Sequence, residues 1–223
     1  MTSLADLGPL AQLRAGRLPR RITQLVVGLF LYGASLALMV RGGLGLAPWD
    51  VLHSGLIRYV PIDLGQMVIV MSVLVLVLWI PLREKPGIGT IANALLVGAS
   101  ADAVMAEVPT QHHLALRVLF TIGGIALCAF ATALYIGAQF GRGPRDGLMT
   151  GLVRRTGASI RLVRTALELA VVIIGLCLGG KLGLGTVAYA LLIGPLTQRW
   201  LPAWVIELPS PEPTGATEEP LAA

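Results

Sequence analysis

Charge is what this sequence has least of. Only 13% of its 223 residues are Asp, Glu, Lys or Arg, against about 25% in a soluble domain. Hydrophobic residues make up 55%, and the mean hydropathy is +0.79. Too few polar side chains remain to cover a water-facing surface. That excludes a soluble globular chain and points to a polytopic membrane protein. Cysteine is nearly absent as well. Cys128 and Cys177 each stand in an apolar run, without a CxxC or histidines at ligand spacing, which excludes a disulfide framework and a zinc site. The histidines are His53, His112 and His113, so no HExxH is possible. Nothing reads as a P-loop, a Ser/His/Asp set or a metal-ligand cluster. The expectation is therefore no metal, no cofactor and no enzyme. The net charge of +5 reads as arginines gathered on one side of a bilayer rather than as affinity for nucleic acid.

What the chain does contain is one stretch written twice. Residues 45–58 read GLAPWDVLHSGLIR and residues 141–154 read GRGPRDGLMTGLVR. The offset is 96 residues, without a gap. It pairs Pro48 with Pro144, Asp50 with Asp146, Gly55 with Gly151 and Arg58 with Arg154. Further on it pairs Gly87-Ile88-Gly89-Thr90 with Gly183-Leu184-Gly185-Thr186, and Ala94 and Gly98 with Ala190 and Gly194. Roughly a third of positions agree over about fifty residues, the mark of a duplicated unit. Shared hydrophobicity alone would not align prolines, glycines and charges in one register.

The apolar runs predict six spans, at about 22–41, 64–82, 88–107, 114–138, 161–179 and 184–206. The organisation is a basic cytoplasmic segment at 1–21, loose or lying on the membrane surface, a first membrane repeat at 22–110, a second at 111–206, and an acidic, proline-rich disordered tail at 207–223. Each repeat holds three spans, an odd number, so the second copy must lie upside down relative to the first. The fold class expected is an all-α membrane bundle: two inverted three-helix repeats, each with a short amphipathic or re-entrant helix. With both termini in the cytoplasm, the inner side holds the N-terminal arginines, Arg83, Lys85, the arginines from Arg142 to Arg164, and Arg199. The outer side receives only Arg41, Arg58, Arg117 and Lys181. That is a positive-inside pattern.

The repeated stretch opens with proline and has aspartate two residues later, which marks a helix start. On that helix Asp50, Ser54 and Arg58 share one face, as do Asp146, Thr150 and Arg154 in the second copy. About thirteen helical residues rise only ~20 Å, too little to cross a ~30 Å core. Two readings stay open. The charges cap a short helix at each surface, each contributing on the order of 0.3–1 kcal/mol with the helix dipole, or two half-helices enter from opposite sides and line a shared cavity. The second reading makes Asp50, Ser54, Arg58, Asp146, Thr150 and Arg154 solute-binding residues, together with Asn93, a polar group one turn into the third span. The glycine turns at 87–90 and 183–186 open the third and sixth spans, where a helix N-terminus can hold an anion; the small residues that follow, Ala94 with Gly98 and Ala190 with Gly194, read as close helix crossings, and Arg164 with Glu168 as an i,i+4 pair.

The segments GLGLAPWDVLHSGL, PGIGTIANALLVG, GRGPRDGLMTGLVRRTG and GLGTVAYALLIGP resemble the YczE/YyaS/YitT group of bacterial integral membrane proteins over about residues 22–205. The most specific element is Gly-x-x-Pro-x-Asp-Gly-Leu, intact at 141–148. The first copy departs from it, with Val51 after the aspartate. The resemblance implies a plasma-membrane protein of five or six spans and brings no defined activity. Two functions remain: a small secondary transporter or exporter of an unidentified solute, or a non-transporting accessory or assembly protein. The expected partners are the lipid bilayer and that solute, with no nucleic acid; the oligomeric state is left open. The position of Asp50 and Asp146, interior or surface, separates the two functions.

Overall fold

The computed structural model describes residues 8–208, and all regular structure among them is helical. In order the helices are α1 (Pro9–Arg14), α2 (Leu18–Gly42), α3 (Pro48–Leu56), α4 (Leu64–Leu82), α5 (Ile88–Glu107), α6 (Leu114–Gly137), α7 (Pro144–Thr156), α8 (Ile160–Cys177) and α9 (Leu184–Trp204). The six stretches expected to span coincide with α2, α4, α5, α6, α8 and α9. Of these, α2, α4, α5 and α6 are long and apolar enough to cross a bilayer. In α8 the charged residues Arg161, Arg164 and Glu168 fall in the first half, and α9 carries Gln198 and Arg199 with two prolines. Pro48 and Pro144 are the first residues of α3 and α7, where a missing N–H costs nothing and φ is already helical. The proline-rich tail lies outside the described residues from 209 on.

The core is the crossing of α2 and α6, which run antiparallel. Gly28 of α2 sits against Ala131, Leu134 and Tyr135 of α6, while Gly124 of α6 sits against Ser35 and Met39 of α2. These contacts are each other's image under the 96-residue offset. The same exchange recurs at the glycine turns. Gly89 donates its N–H to Phe140 O and Gly185 donates to Leu44 O, both at 2.8 Å. Thr90 Oγ1 donates to Arg142 O at 2.6 Å, and Thr186 Oγ1 accepts from Leu46 N at 3.1 Å. The first turns of α5 and α9 are thus each stitched to the linker of the other half, which is what the kept Gly-x-Gly-Thr does.

The short helices cross over in the same way: α3 packs on α8, and α7 packs on α4. The packing explains the departure at Val51. Gly175 of α8 makes room for the α3 backbone at Val51 and Leu52, whereas in the other crossing Gly147 of α7 makes room for the Trp79 ring of α4. Small faces large in both, with the roles reversed. Trp79 is buried and its Nε1 donates to Pro144 O at 2.9 Å. Gly147→Val should therefore lower the melting point in detergent by the equivalent of about 2 kcal/mol through overpacking. Gly123→Val is the control, since among the described residues nothing lies within 4 Å of a Cβ added at Gly123. Equal shifts for the two would contradict the packing account.

The halves differ in how their last two helices pack. α4 and α5 pack closely, but α8 and α9 share no packed face. Gly98 of α5 lies on Gly65 of α4, and Asp102 accepts hydrogen bonds from Gly65 N at 2.7 Å and Gln66 N at 3.0 Å. At the offset positions stand Gly194, Arg161 and Gln198, and among the described residues nothing lies within 4 Å of a Cβ added at Gly194. α9 also has Pro195 where α5 has Ala99, and an interior proline breaks a helix bond and bends the helix.

In the basic segment, expected to be loose or to lie on the membrane surface, most described residues are exposed, but Gln12 and Arg21 are buried. Arg21 is fully buried. Its guanidinium donates to Ala138 O at 2.9 Å, Gln12 O at 2.6 Å and Gln139 O at 2.9 Å, and it stacks over the Phe140 ring at 4.2 Å. The reason is local. The end of α6 leaves carbonyls without helical partners, and a planar guanidinium satisfies several at once.

Candidate functional site

The N-terminal turns of α3 and α7 bring their charged residues together inside the protein, not at its surfaces. α3 is buried apart from Trp49 and Leu56, with Asp50, His53 and Ser54 among its buried residues. Asp50 Oδ1 lies 3.0 Å from His53 Nδ1 and 3.6 Å from the guanidinium of Arg145, the second residue of α7. Arg145 is the offset partner of Trp49, and the two meet: the guanidinium stands over the Trp49 ring at 5.2 Å. Asp146 accepts a hydrogen bond from Tyr135 OH at 2.8 Å. The two aspartates, equal in sequence, therefore have unequal partners. Asp50 is balanced by a cation and an imidazole, and Asp146 is held by a neutral phenol. His53 Nε2 is buried without a partner among the described residues.

Two cavities flank Arg145 and Asp146, and both also touch Tyr32 and Tyr135. The wide one, of about 260 Å³, lies where α8 and α9 stand apart. The narrow one, of about 50 Å³, lies under the packed α4–α5 pair. They are offset images of one another. Val68, Ser72, Asn93 and Val97 line the narrow cavity, and Arg164, Glu168, Tyr189 and Ile193 line the wide one. A shallower depression of about 390 Å³ lies at the ends of α2, α3 and α5, with Ser54, Asp63, Asp102 and Lys181 on its walls. It does not reach Arg145 or Asp146.

The residues expected from the sequence separate into two groups. Asp50, Asp146 and Asn93 lie at this centre. Ser54, Thr150, Arg58 and Arg154 are occupied by backbone. Ser54 Oγ donates to Val51 O at 2.8 Å and accepts from Lys181 N at 2.9 Å, and Thr150 Oγ1 donates to Gly147 O at 3.1 Å. Arg58 donates to Gly179 O at 3.0 Å just past α8, and Arg154 donates to Leu82 O at 2.6 Å at the end of α4, with Glu84 3.1 Å away. These two arginines cap the crossing helices of the opposite half, where cations favour the dipole. Arg164 and Glu168 do pair, at 2.9 Å, on the wall of the wide cavity. The sequence reading missed Arg145, Trp49, Tyr32, Tyr135 and Tyr189. One signal was available: between the kept proline and the kept aspartate, one copy has tryptophan and the other arginine.

The chain matches the model of a family of unknown function, DUF6198, over residues 19–202. It belongs to that family. An uncharacterized protein of Haemophilus influenzae is 37% identical over 182 residues, covering 82% of this chain and 84% of that protein. The uncharacterized membrane protein YczE of Bacillus subtilis is 29% identical, covering 82% and 86%. The uncharacterized protein YyaS of the same organism is 26% identical, covering 79% and 90%. No solved structure matches the chain. Family membership spans α2 to the last turn of α9, so it includes both copies of the stretch and the whole site. With these relatives and four long apolar helices, the chain is a multi-pass membrane protein of the YczE/YyaS group.

Proposed function

We propose that the protein is a small secondary transporter, and not an enzyme, that works by alternating access around Arg145 and Asp146. In this reading α2, α4 and α5 form one three-span repeat and α6, α8 and α9 the other, inverted about an axis in the membrane plane. α3 and α7 are re-entrant half-helices, and both termini lie in the cytoplasm of a plasma-membrane protein. The antiparallel α2–α6 crossing and the exchanged contacts at an offset of 96 support the inversion. The observation that carries the function is the pair of offset-related cavities, about 260 and 50 Å³, on either side of one charged centre. Solute sites of inverted-repeat transporters lie at the repeat interface, between half-helix ends, and one repeat rocks against the other. Burial of Asp50 and the half-burial of Asp146 favour this over an accessory protein, whose short helices would face headgroups.

The positive-inside orientation assigns the wide cavity to the cytoplasm, between the start of α8 and the end of α9. The conformation is then inward-open. The outer route is shut where Gly98 lies on Gly65 and Asp102 clasps the first N–H groups of α4, at the floor of the shallow depression. In the opposite state α8 would close on α9 at Gly194, and α4 would leave α5. Cysteine accessibility tests this in a background with Cys128→Ala and Cys177→Ser. Thr197→Cys, in the wide cavity, should label from the cytoplasmic side, and Ser72→Cys, beside the narrow one, should resist labelling from outside. Adding Asp102→Asn removes the charge from the clasp and should raise outside labelling of Ser72→Cys while lowering inside labelling of Thr197→Cys. Labelling of the two sites that does not shift in opposite directions would sink alternating access.

A further inference from the structure

We propose that the solute taken at this centre is a monovalent organic cation of the quaternary or tertiary ammonium type. The inference rests on the transport reading of the wide cavity and narrows it to a substrate class. It follows from charge accounting. Four ionic side chains line the cavity: Arg145, Asp146, Arg164 and Glu168. Arg164 and Glu168 neutralise each other at 2.9 Å, and Arg145 is matched by Asp50 behind it at 3.6 Å. Asp146 alone has no cation within ion-pair distance among the described residues. Its carboxylate accepts from Tyr135 OH, a donor that orients it without cancelling its charge. With the His53 imidazole neutral, Arg145 and Arg164 set against Asp50, Asp146 and Glu168 leave the centre with one net negative charge.

The walls fit an ammonium ion better than a metal. A bare divalent ion needs several oxygen ligands, and among the described residues no group of three His, Cys, Asp or Glu side chains is placed to hold one. Beside Asp146 stand aromatic rings instead: Tyr32, Trp49, Tyr135 and Tyr189. Aromatic faces attract a weakly hydrated cation, and Trp49 already has the Arg145 guanidinium over its ring at 5.2 Å. A carboxylate solute has less to gain. Both guanidiniums on its walls are already paired, Arg145 with Asp50 and Arg164 with Glu168, and Asp146 is the residue next to Arg145. The same carboxylate touches the narrow cavity, so a cation bound there would remain in contact with Asp146 as the wide side closed and the narrow side opened.

The test is calorimetric titration of the purified full-length protein in detergent with three probes of nearly one shape: choline, its neutral isostere 3,3-dimethylbutan-1-ol, and the zwitterion trimethylglycine. Choline should bind about tenfold or more tighter than the neutral isostere, the order expected from a desolvated cation–aromatic contact plus one carboxylate. Asp146→Asn should bring choline down to the level of the isostere, and Asp146→Glu should retain the preference. Trp49→Leu should weaken choline more than the isostere. Equal binding of choline and the isostere would overturn the proposal, as would unchanged choline binding in Asp146→Asn. A preference for trimethylglycine would overturn it too, by moving recognition to Arg145. No heat from choline or from the larger tetraethylammonium would also overturn it. The cysteine experiment above uses no solute. Opposite labelling shifts with no cation binding would leave a transporter of another substrate, and cation binding without the shifts would leave a receptor.

Discussion

Replacing Arg145 with glutamine should cost about 3 kcal/mol of stability, and adding Asp50→Asn should restore most of it. The single change leaves Asp50, 5% exposed, with His53 but without its cation. Removing one partner of a buried pair costs about 3–5 kcal/mol, because the remaining charge is left uncompensated in a medium of low polarity. The side chain of Arg145 is 23% exposed to the cavity, so the lower end of that range applies. The double variant removes both charges and keeps amide-sized polar groups, so the unpaired charge is gone. Thermal unfolding of the four proteins in detergent gives the coupling energy directly. Additive effects of the two substitutions would mean that the 3.6 Å pair is not energetically coupled. Asp50→Asn alone should cost less than Arg145→Gln alone, because the guanidinium still reaches the cavity water and the Trp49 ring.

Arg21→Leu should be at least as damaging, on the order of 4 kcal/mol. Three backbone carbonyls, of Gln12, Ala138 and Gln139, accept from this one buried guanidinium. A hydrogen bond to a charged group contributes about 1.5–3 kcal/mol, and a buried acceptor left without it costs about 1–3. The loss is partly offset by burying leucine on Phe140. Arg21→Lys should recover only part, since an ammonium is a point charge that does not span three carbonyls in a plane. Melting temperature and monodispersity on gel filtration are the readouts. A leucine variant that melts with the wild type would mean that α1 and the end of α6 hold together without this residue.

The long helices were legible because about twenty apolar residues bounded by arginine or proline leave few alternatives. The repeat register was legible because prolines and glycines mark steric positions. Gly55 and Gly151 each sit under the end of the crossing helix, against Leu178 and Leu82, and neither tolerates replacement easily. The charged positions misled for the same reason. Arg58 and Arg154 are kept because both crossing helices end in carbonyls that need a donor. The centre was illegible because there a residue faces its own counterpart at the offset of 96. Two arginines or two tryptophans facing there would repel or leave donors unmatched. Arg145 over Trp49 works because the copies differ, and a search for what two copies share passes over it. Arg21 was misread for lack of any local signal. Its partners are more than a hundred residues away in the chain, apart from Gln12.

The reversed small-and-large packing of the two crossings makes the halves complementary rather than interchangeable. Two copies of the first half, associating as a homodimer, would set Val51 against Trp79 where Gly175 now makes room. Two copies of the second half would set Gly147 against Gly175 and leave a void in place of the indole. Each half is thus a poor mate for itself and a good one for the other. A covalent link between two such units permits this, because neither surface then has to fit its own copy.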